Sequence, residues 1–248
     1  AYKRMISRAM PEEAEYFLML NPDMILENDA IEKMIKAMEQ DDKLASVGPK
    51  VLKWIFIENK KTKIIDTCGI VMNSGLRFTD LGQNQADNKQ FDNSDILGPS
   101  GCAALYRLSA LAKIKVNGQY FDERFFMYKE DCDLALRLKQ AGFKSKLVAD
   151  AIIYHDRSAS GLGESDLAIA LNRRNKSRQV KQWSFFSQQM LFLKYWHKQS
   201  WREKLLIIWH EFKMVIFIIL FERYLLSELL KVWKLRKRQK RTTQNFIS

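Results

Sequence analysis

Short apolar runs alternate with one amphipathic stretch at the start of the chain. Residues 16–20 are apolar throughout, as in a strand buried on both faces. The run stops at Asn-Pro-Asp (21–23), a turn signal. Asp29 then opens a capping-box pattern with Glu32, and apolar positions follow at helical spacing to about Gln40. The pattern predicts a strand, a turn and a helix in succession.

The same alternation continues to about residue 155. Strands are predicted at 45–52, 64–72 and 146–154, with Gly48-Pro49 indicating a bulge or an edge in the first of them. A helix is predicted at 131–141, ended by Gly142. Strands that alternate with helices indicate an α/β sheet, in which ligands bind at the carboxyl ends of strands.

The C-terminal part has a different pattern. Residues 203–233 are strongly apolar, but the longest uninterrupted run, 214–221, is far shorter than the roughly 20 residues that span a bilayer. Six of the eight residues at 234–241 are basic. The pattern favours attachment to an anionic membrane surface, and the alternative is a helix packed on the protein with a solvated basic end.

Composition and charge exclude several classes of protein. The chain has 248 residues, 47% of them hydrophobic, with 10 Gly and 4 Pro, which excludes a largely disordered chain. Its three Cys lack metal-ligand spacing and fit a reducing compartment. The whole net charge of +12 lies in residues 155–248. Because nucleic-acid-binding motifs are absent and the charge is confined to one end, nucleic acid is not an expected partner.

Two residues at predicted strand ends are candidate metal ligands. Asp23 follows the first buried strand, where a lone carboxylate can hold Mg²⁺ or Mn²⁺ beside phosphate oxygens. The alternative for Asp23 is a structural Asx-turn. His155 ends the last strand and could bind a metal or a diphosphate, or be an ordinary core or surface histidine.

Acids and small residues form two further candidate features. Glu130 and Asp131 follow an aromatic segment and precede a helix, so Asp131 is either an N-cap or a carboxylate base in an aromatic-walled cleft. Gly98 and Pro99 indicate a turn. Residues 101–104 are small and could form a flat floor where a sugar approaches the backbone.

Together these segments resemble the family 2 glycosyltransferases of the GT-A fold, particularly rhamnosyltransferase-like members. The resemblance covers about residues 16–180. Residues 17–23 resemble the strand that ends in a DxD-type metal motif, with Asn21 in place of the first acid. The segment at 98–107 is similar to the one beneath the donor sugar, and 121–137 is similar to the acceptor-side motif. Tyr154-His155 and Arg174-Asn175 resemble later segments of the family.

The resemblance implies an inverting transfer from a nucleoside-diphosphate sugar to a glycan or lipid-linked acceptor, in bacterial-type cell-surface polysaccharide synthesis. The implied location is peripheral, on the cytoplasmic face of the cell membrane. Deoxythymidine-diphosphate-rhamnose is the favoured donor and a uridine-diphosphate hexose the second. The implied site has Asp131 as base, Mg²⁺ or Mn²⁺ on two ligands, and four substrate-binding residues. The metal ligands are Asp23 and His155, and the substrate-binding residues are Asn21, Gly101, Glu130 and Arg174.

The expected fold class is α/β, the C-terminal portion of a GT-A (Rossmann-like) domain followed by a helical, membrane-associating region. The expected division is a partial GT-A domain at 1–160, a connecting segment at 161–202 and an amphipathic basic tail at 203–248. An N-terminal nucleotide-binding part of roughly 80 residues or more is expected to be missing, which would leave this piece inactive alone. Alternative functions are a non-catalytic membrane scaffold with a degenerate transferase fold and, less favoured, a basic nucleic-acid-binding protein.

Overall fold

A computed structural model describes residues 14–116, 118–156 and 177–244, with side chains described up to 236. The strands are β1 (Tyr16–Leu20), β2 (Met24–Leu26), β3 (Leu44–Ile55), β4 (Lys60–Thr67), β5 (Ile70–Asn73), β6 (Arg77–Asp80), β7 (Ala103–Arg107) and β8 (Lys144–His155). The helices are α1 (Ala30–Glu39), α2 (Leu108–Lys113), α3 (Glu130–Gln140), α4 (Arg178–Tyr195), α5 (Trp201–Phe221) and α6 (Leu226–Gln244). The fold is mixed α/β around a central sheet with several helices, which confirms the α/β part of the predicted fold class.

The central sheet runs in the order β1-β7-β3-β8-β2, and β4 also pairs with β3. The strand β7 is antiparallel to both β1 and β3, whereas β3 and β8 are parallel. The strands β1, β3 and β8 therefore share one direction, and their carboxyl ends meet at one edge. A separate two-stranded sheet is formed by β5 and β6.

Helices cover both faces of the sheet. On one face, α1 packs Met34 and Met38 against Val47 and Leu105. On the other face, α2 and α3 pack their leucines against the alternate strand residues, Ala104 among them. Asp29 is the N-cap of α1, as predicted, but its side chain makes no cap hydrogen bond. It pairs instead with Lys33 at 2.9 Å, so the predicted capping box is wrong in its bonding.

The strand β3 lies in the middle of the sheet, so the prediction that Gly48-Pro49 marks an edge strand is wrong. The predicted bulge is confirmed, because the β3–β8 register shifts between Pro49 and Lys50. Proline cannot donate to a strand ladder, and a register shift removes the need for that donor. The buried Lys50 ammonium then pairs with Asp87, at 2.9 Å, and with Asp92, which fixes the long connection before β7 to the sheet.

The chain divides into two compact units. Unit 1 contains the central sheet with α1, α2 and α3, and unit 2 contains α4, α5 and α6 together with the short segments 73–77 and 125–129. The predicted division after residue 160 lies outside the described residues. Within unit 2, Phe185, Ile218 and Leu225 form a small buried cluster. None of the helices in the described ranges is long and apolar enough to cross a bilayer.

Gly98 sets how closely α3 approaches the strands. A Cβ on this residue would lie 2.6 Å from the Cβ of Ala135, closer than two carbons can pack. We therefore expect Gly98→Ala to push α3 away and to lower the free energy of unfolding by about 1–3 kcal/mol, measured by urea denaturation.

The matched control restores the space from the helix side. Ala135→Gly removes the methyl group that a new Cβ at Gly98 would meet. The double variant should lose less stability than the two single losses added together. Simple additivity would contradict the proposed close contact.

Candidate functional site

The candidate site lies at the sheet edge where the carboxyl ends of β1, β3 and β8 meet. The start of β7 reaches the same edge, because Leu20 at the end of β1 pairs with Ala103. The backbone N–H of Asn21 extends this pairing by donating to the carbonyl of Cys102 at 2.9 Å. Residues that follow β1, end β8 and precede β7 are therefore brought together, although up to 134 positions separate them in the sequence.

The short strand β2 places Asp23 beside His155. In the antiparallel pairing of β2 with β8, Met24 lies opposite His155. The Asp23 carboxylate, which directly precedes Met24, then lies 3.3 Å from Nε2 of His155. The His155 side chain is buried and that of Asp23 is half exposed, so Asp23 presents this pair to solvent. The structure thus brings together the two predicted metal ligands.

The other nitrogen of His155 contacts a fully buried carboxylate, Asp66 on β4. Its Nδ1 lies 2.8 Å from the Asp66 carboxylate. A buried carboxylate needs a donor, so the Nδ1–H of His155 donates to Asp66. This bond fixes the ring and leaves Nε2 directed at Asp23. The sequence prediction missed Asp66, although an acid inside the apolar run Ile-Ile-Asp-Thr-Cys (64–68) is a signal that it must be paired.

The geometry fits a divalent cation at the Asp23–His155 pair. With Nδ1 donating to Asp66, the Nε2 lone pair and the Asp23 carboxylate are two acceptors 3.3 Å apart. Two acceptors at this distance repel unless a proton or a cation lies between them. Ligand atoms about 2.1 Å from one octahedral cation lie about 3 Å apart, close to the separation seen here.

Cys102 lies close to Asp66 and His155 and could supply a third ligand atom beside them. Its thiol sulfur, a carboxylate oxygen of Asp66 and a ring nitrogen of His155 all lie within 4.8 Å of one another. Cys102 is half-buried and contacts Ser100 Oγ at 3.6 Å. The sequence offered no signal for this residue, because its nearest functional neighbours lie on other strands.

Asp131 is held at the start of β7 by backbone donors. The N–H of Gly101 donates to one carboxylate oxygen of Asp131 at 2.9 Å, and the N–H of Cys132 donates to the other at 2.8 Å. A Cβ on Gly101 would lie 3.1 Å from the Asp131 carboxylate, which favours glycine there. Because α3 begins at Glu130, Asp131 lies in its first turn and the N-cap alternative is wrong.

Glu130 is the titratable group that the site perturbs most clearly. Burial, with the neighbouring Asp131 charge as a second cause, raises the pKa of Glu130 to about 7. Its Oε2 is buried without a hydrogen-bond partner among the described residues. Glu130 can therefore take up or release a proton near neutral pH, a property that the sequence did not predict.

The remaining predicted substrate-binding residues are only partly described. Asn21 and Gly101 lie at the sheet edge with the residues above, and their backbone N–H groups are both used in hydrogen bonds. Arg174 lies outside the described residues.

Comparison with known proteins gives a partial match. A 61-residue segment, 25% of this chain, is 46% identical to the N-acetylglucosaminyl-diphospho-decaprenol L-rhamnosyltransferase of Mycobacterium tuberculosis strain CDC 1551 / Oshkosh, and the same figures hold for strain ATCC 25618 / H37Rv. The matched segment is 19% of the length of these relatives. No family model matches the chain. Part of the chain is therefore similar to a glycosyltransferase.

The raised pKa of Glu130 predicts a pH-dependent stability. A carboxyl whose folded pKa lies above its unfolded value contributes stability below the unfolded pKa, and this contribution is lost as the pH rises through the folded value. Between about pH 4.5 and 7 the protein should therefore lose stability on account of Glu130. We expect Glu130→Gln to be more stable than the unmodified protein at pH 8, by on the order of 2 kcal/mol, and equally stable at pH 4.

Urea denaturation at the two pH values measures this difference. Glu39→Gln, at an exposed position on α1, is the matched control and should give the same stability as the unmodified protein at both pH values. A Glu130→Gln effect that does not change with pH would contradict the buried, perturbed carboxyl.

Proposed function

We propose that this protein is an inverting glycosyltransferase of family 2 with a GT-A-type site, acting on a nucleoside-diphosphate sugar. The observation that carries the proposal is the convergence of Asp23, His155 and Gly101-bound Asp131 around one sheet edge. The partial similarity to a rhamnosyltransferase supports the same class. Rhamnose on deoxythymidine diphosphate is the donor that we favour.

Asp23 and His155 would hold the divalent cation, Mg²⁺ or Mn²⁺. A cation held there would supply positive charge to stabilise the departing diphosphate. Asp66 holds the His155 ring so that Nε2 faces Asp23, and the chain thereby orients both ligands before substrate binds.

Asp131 is the proposed general base. Its two backbone donors fix the carboxylate beside Gly101, where the small residues at 101–104 would accommodate the donor sugar. The carboxylate accepts the proton of the acceptor hydroxyl as that hydroxyl attacks the anomeric carbon from the side opposite the diphosphate. Glu130, Asn21 and Arg174 are proposed to position the substrates.

The acceptor that we propose is a glycan or lipid-linked glycan of a bacterial-type cell surface. The name of the similar mycobacterial enzyme specifies a decaprenol-diphosphate-linked acceptor, which supports the lipid-linked alternative. Such an acceptor would be met at the cytoplasmic face of the cell membrane, which is where we propose that the protein acts as a peripheral enzyme.

Replacing Asp131 tests the proposed base. We expect Asp131→Asn in the full-length protein to leave the donor Kd nearly unchanged and to lower kcat at least about a hundredfold, because the amide cannot accept the proton. Donor binding by calorimetry and turnover with acceptor are the two measurements. Asp150→Asn, at an exposed acid, is the matched control. A fully active Asp131→Asn enzyme would exclude Asp131 as base.

Replacing Asp23 tests the proposed cation site. We expect Asp23→Ala to abolish transfer and to make donor affinity insensitive to added Mg²⁺ or Mn²⁺, because one of the two ligands is lost. Asp42→Ala, at another exposed acid, should keep the metal response. Full activity of the unmodified enzyme in excess chelator would contradict the metal role from the outset.

A further inference from the structure

The helix α5 carries an exposed apolar stripe along its length, here called the α5 stripe. Its side chains are between 37% and 67% exposed. The members are Trp201, Leu205, Ile208, Trp209, Phe212, Val215, Ile216, Ile219 and Leu220. Successive members are mostly three or four residues apart, so they share one side of a helix with 3.6 residues per turn.

The opposite side of α5 is already covered by protein. Ile207 and Ile218, eleven residues apart, are buried, and Ile218 packs with Phe185 of α4 and with Leu225. The helix therefore has two apolar sides, one for the core of unit 2 and one exposed.

Charge is distributed unequally between these two sides. The acids of α5 are engaged within unit 2: Glu203 accepts the N–H of Gly75, and Glu211 accepts from Gln189 at 2.6 Å. The cations flank the stripe instead. Arg202 lies over the ring of Trp201 and Lys213 over that of Trp209, at 5.4 and 5.9 Å from the ring centroids.

The next helix repeats the pattern. In α6, Leu226, Leu230 and Trp233 are exposed at spacings of four and three residues. They directly precede the basic run at 234–241. Exposed tryptophans with adjacent cations are typical of segments at a membrane interface, where the ring lies at headgroup level and the cation pairs with anionic lipid.

We propose that the α5 stripe is the lipid-binding surface of this protein and inserts into one leaflet of an anionic bilayer with α5 parallel to the membrane. The parallel orientation follows because α4 and the 3₁₀ turn Arg223–Leu225 cover the other side of α5, whereas the α5 stripe is exposed in the part of the chain that the structure describes. The flanking cations and the run at 234–241 select anionic headgroups. The proposal rests on the peripheral membrane location proposed above and names the surface responsible for it, whereas the transfer chemistry can be tested separately.

Vesicle flotation of the full chain tests the proposal. The probes are vesicles of phosphatidylcholine alone and of phosphatidylcholine with phosphatidylglycerol. The unmodified protein should float with the anionic vesicles and weakly with the neutral ones. The double variant Ile208→Gln, Phe212→Gln should bind anionic vesicles at least about tenfold more weakly, because two half-exposed apolar side chains no longer enter lipid.

The matched control makes the same change outside the stripe. Phe56 and Ile57 are exposed apolar residues in the turn between β3 and β4 of unit 1, and Phe56→Gln, Ile57→Gln should float like the unmodified protein. Circular dichroism melting checks that each variant folds. Removal of 234–241 should weaken flotation at low salt more than at high salt, since exposed charges are screened over about 8 Å at physiological salt.

Three results would overturn the proposal. The first is equal flotation of the stripe variant and the unmodified protein, and the second is flotation of neither. The third is sedimentation that shows the α5 stripe mediating self-association without lipid binding. Loss of transfer activity with retained flotation would bear on the proposed enzyme function and leave the lipid surface intact.

Discussion

The candidate site depends on one buried interaction, the contact between Asp66 and His155. A carboxylate inside a packed sheet is costly unless a donor reaches it, and the donor here is the imidazole of the strand-end histidine. Because one ring nitrogen is committed to Asp66, the other faces Asp23. A requirement of the core therefore fixes which part of His155 is available for chemistry.

The sheet topology supplies the rest of the arrangement. The strand β7 lies between β1 and β3 and is antiparallel to both, so its first residue, Ala103, lies beside Leu20 at the carboxyl end of β1. Gly101 precedes that strand and donates to Asp131, which ties the start of α3 to the same edge. The absence of a side chain at Gly98 allows α3 to pack close enough for this bond.

The local sequence pattern was sufficient to identify three of the candidate residues at this edge of the sheet. Asp23, Asp131 and His155 could be found because each adjoins a strand or helix end that periodicity reveals. Asp66 could not, because its partner is 89 residues away and the pairing depends on how β4, β3 and β8 lie side by side. The β2 pairing that brings Asp23 to His155 involves only three residues, too few for a periodic signal.

The sequence predicted the helical character of the C-terminal region but not which of its apolar residues are buried. The apolar content of 203–233 predicted a helix, but the residues of α5 serve two apolar surfaces, one internal and one exposed. The sequence alone does not separate these two sets, since they differ by what packs against them. Only the position of α4 and of the turn at Arg223–Leu225 identifies the exposed set.

The central claim is that Asp23 and His155 form a cation site whose geometry Asp66 sets. The most direct measurement is an anomalous difference map, recorded near the manganese absorption edge, from crystals of the full-length protein grown with Mn²⁺ and a nucleoside diphosphate. We expect a peak about 2.1 Å from both the Asp23 carboxylate and Nε2 of His155, with Nδ1 still bound to Asp66. A Mn²⁺ peak elsewhere, with Nε2 bonded directly to Asp23, would contradict it.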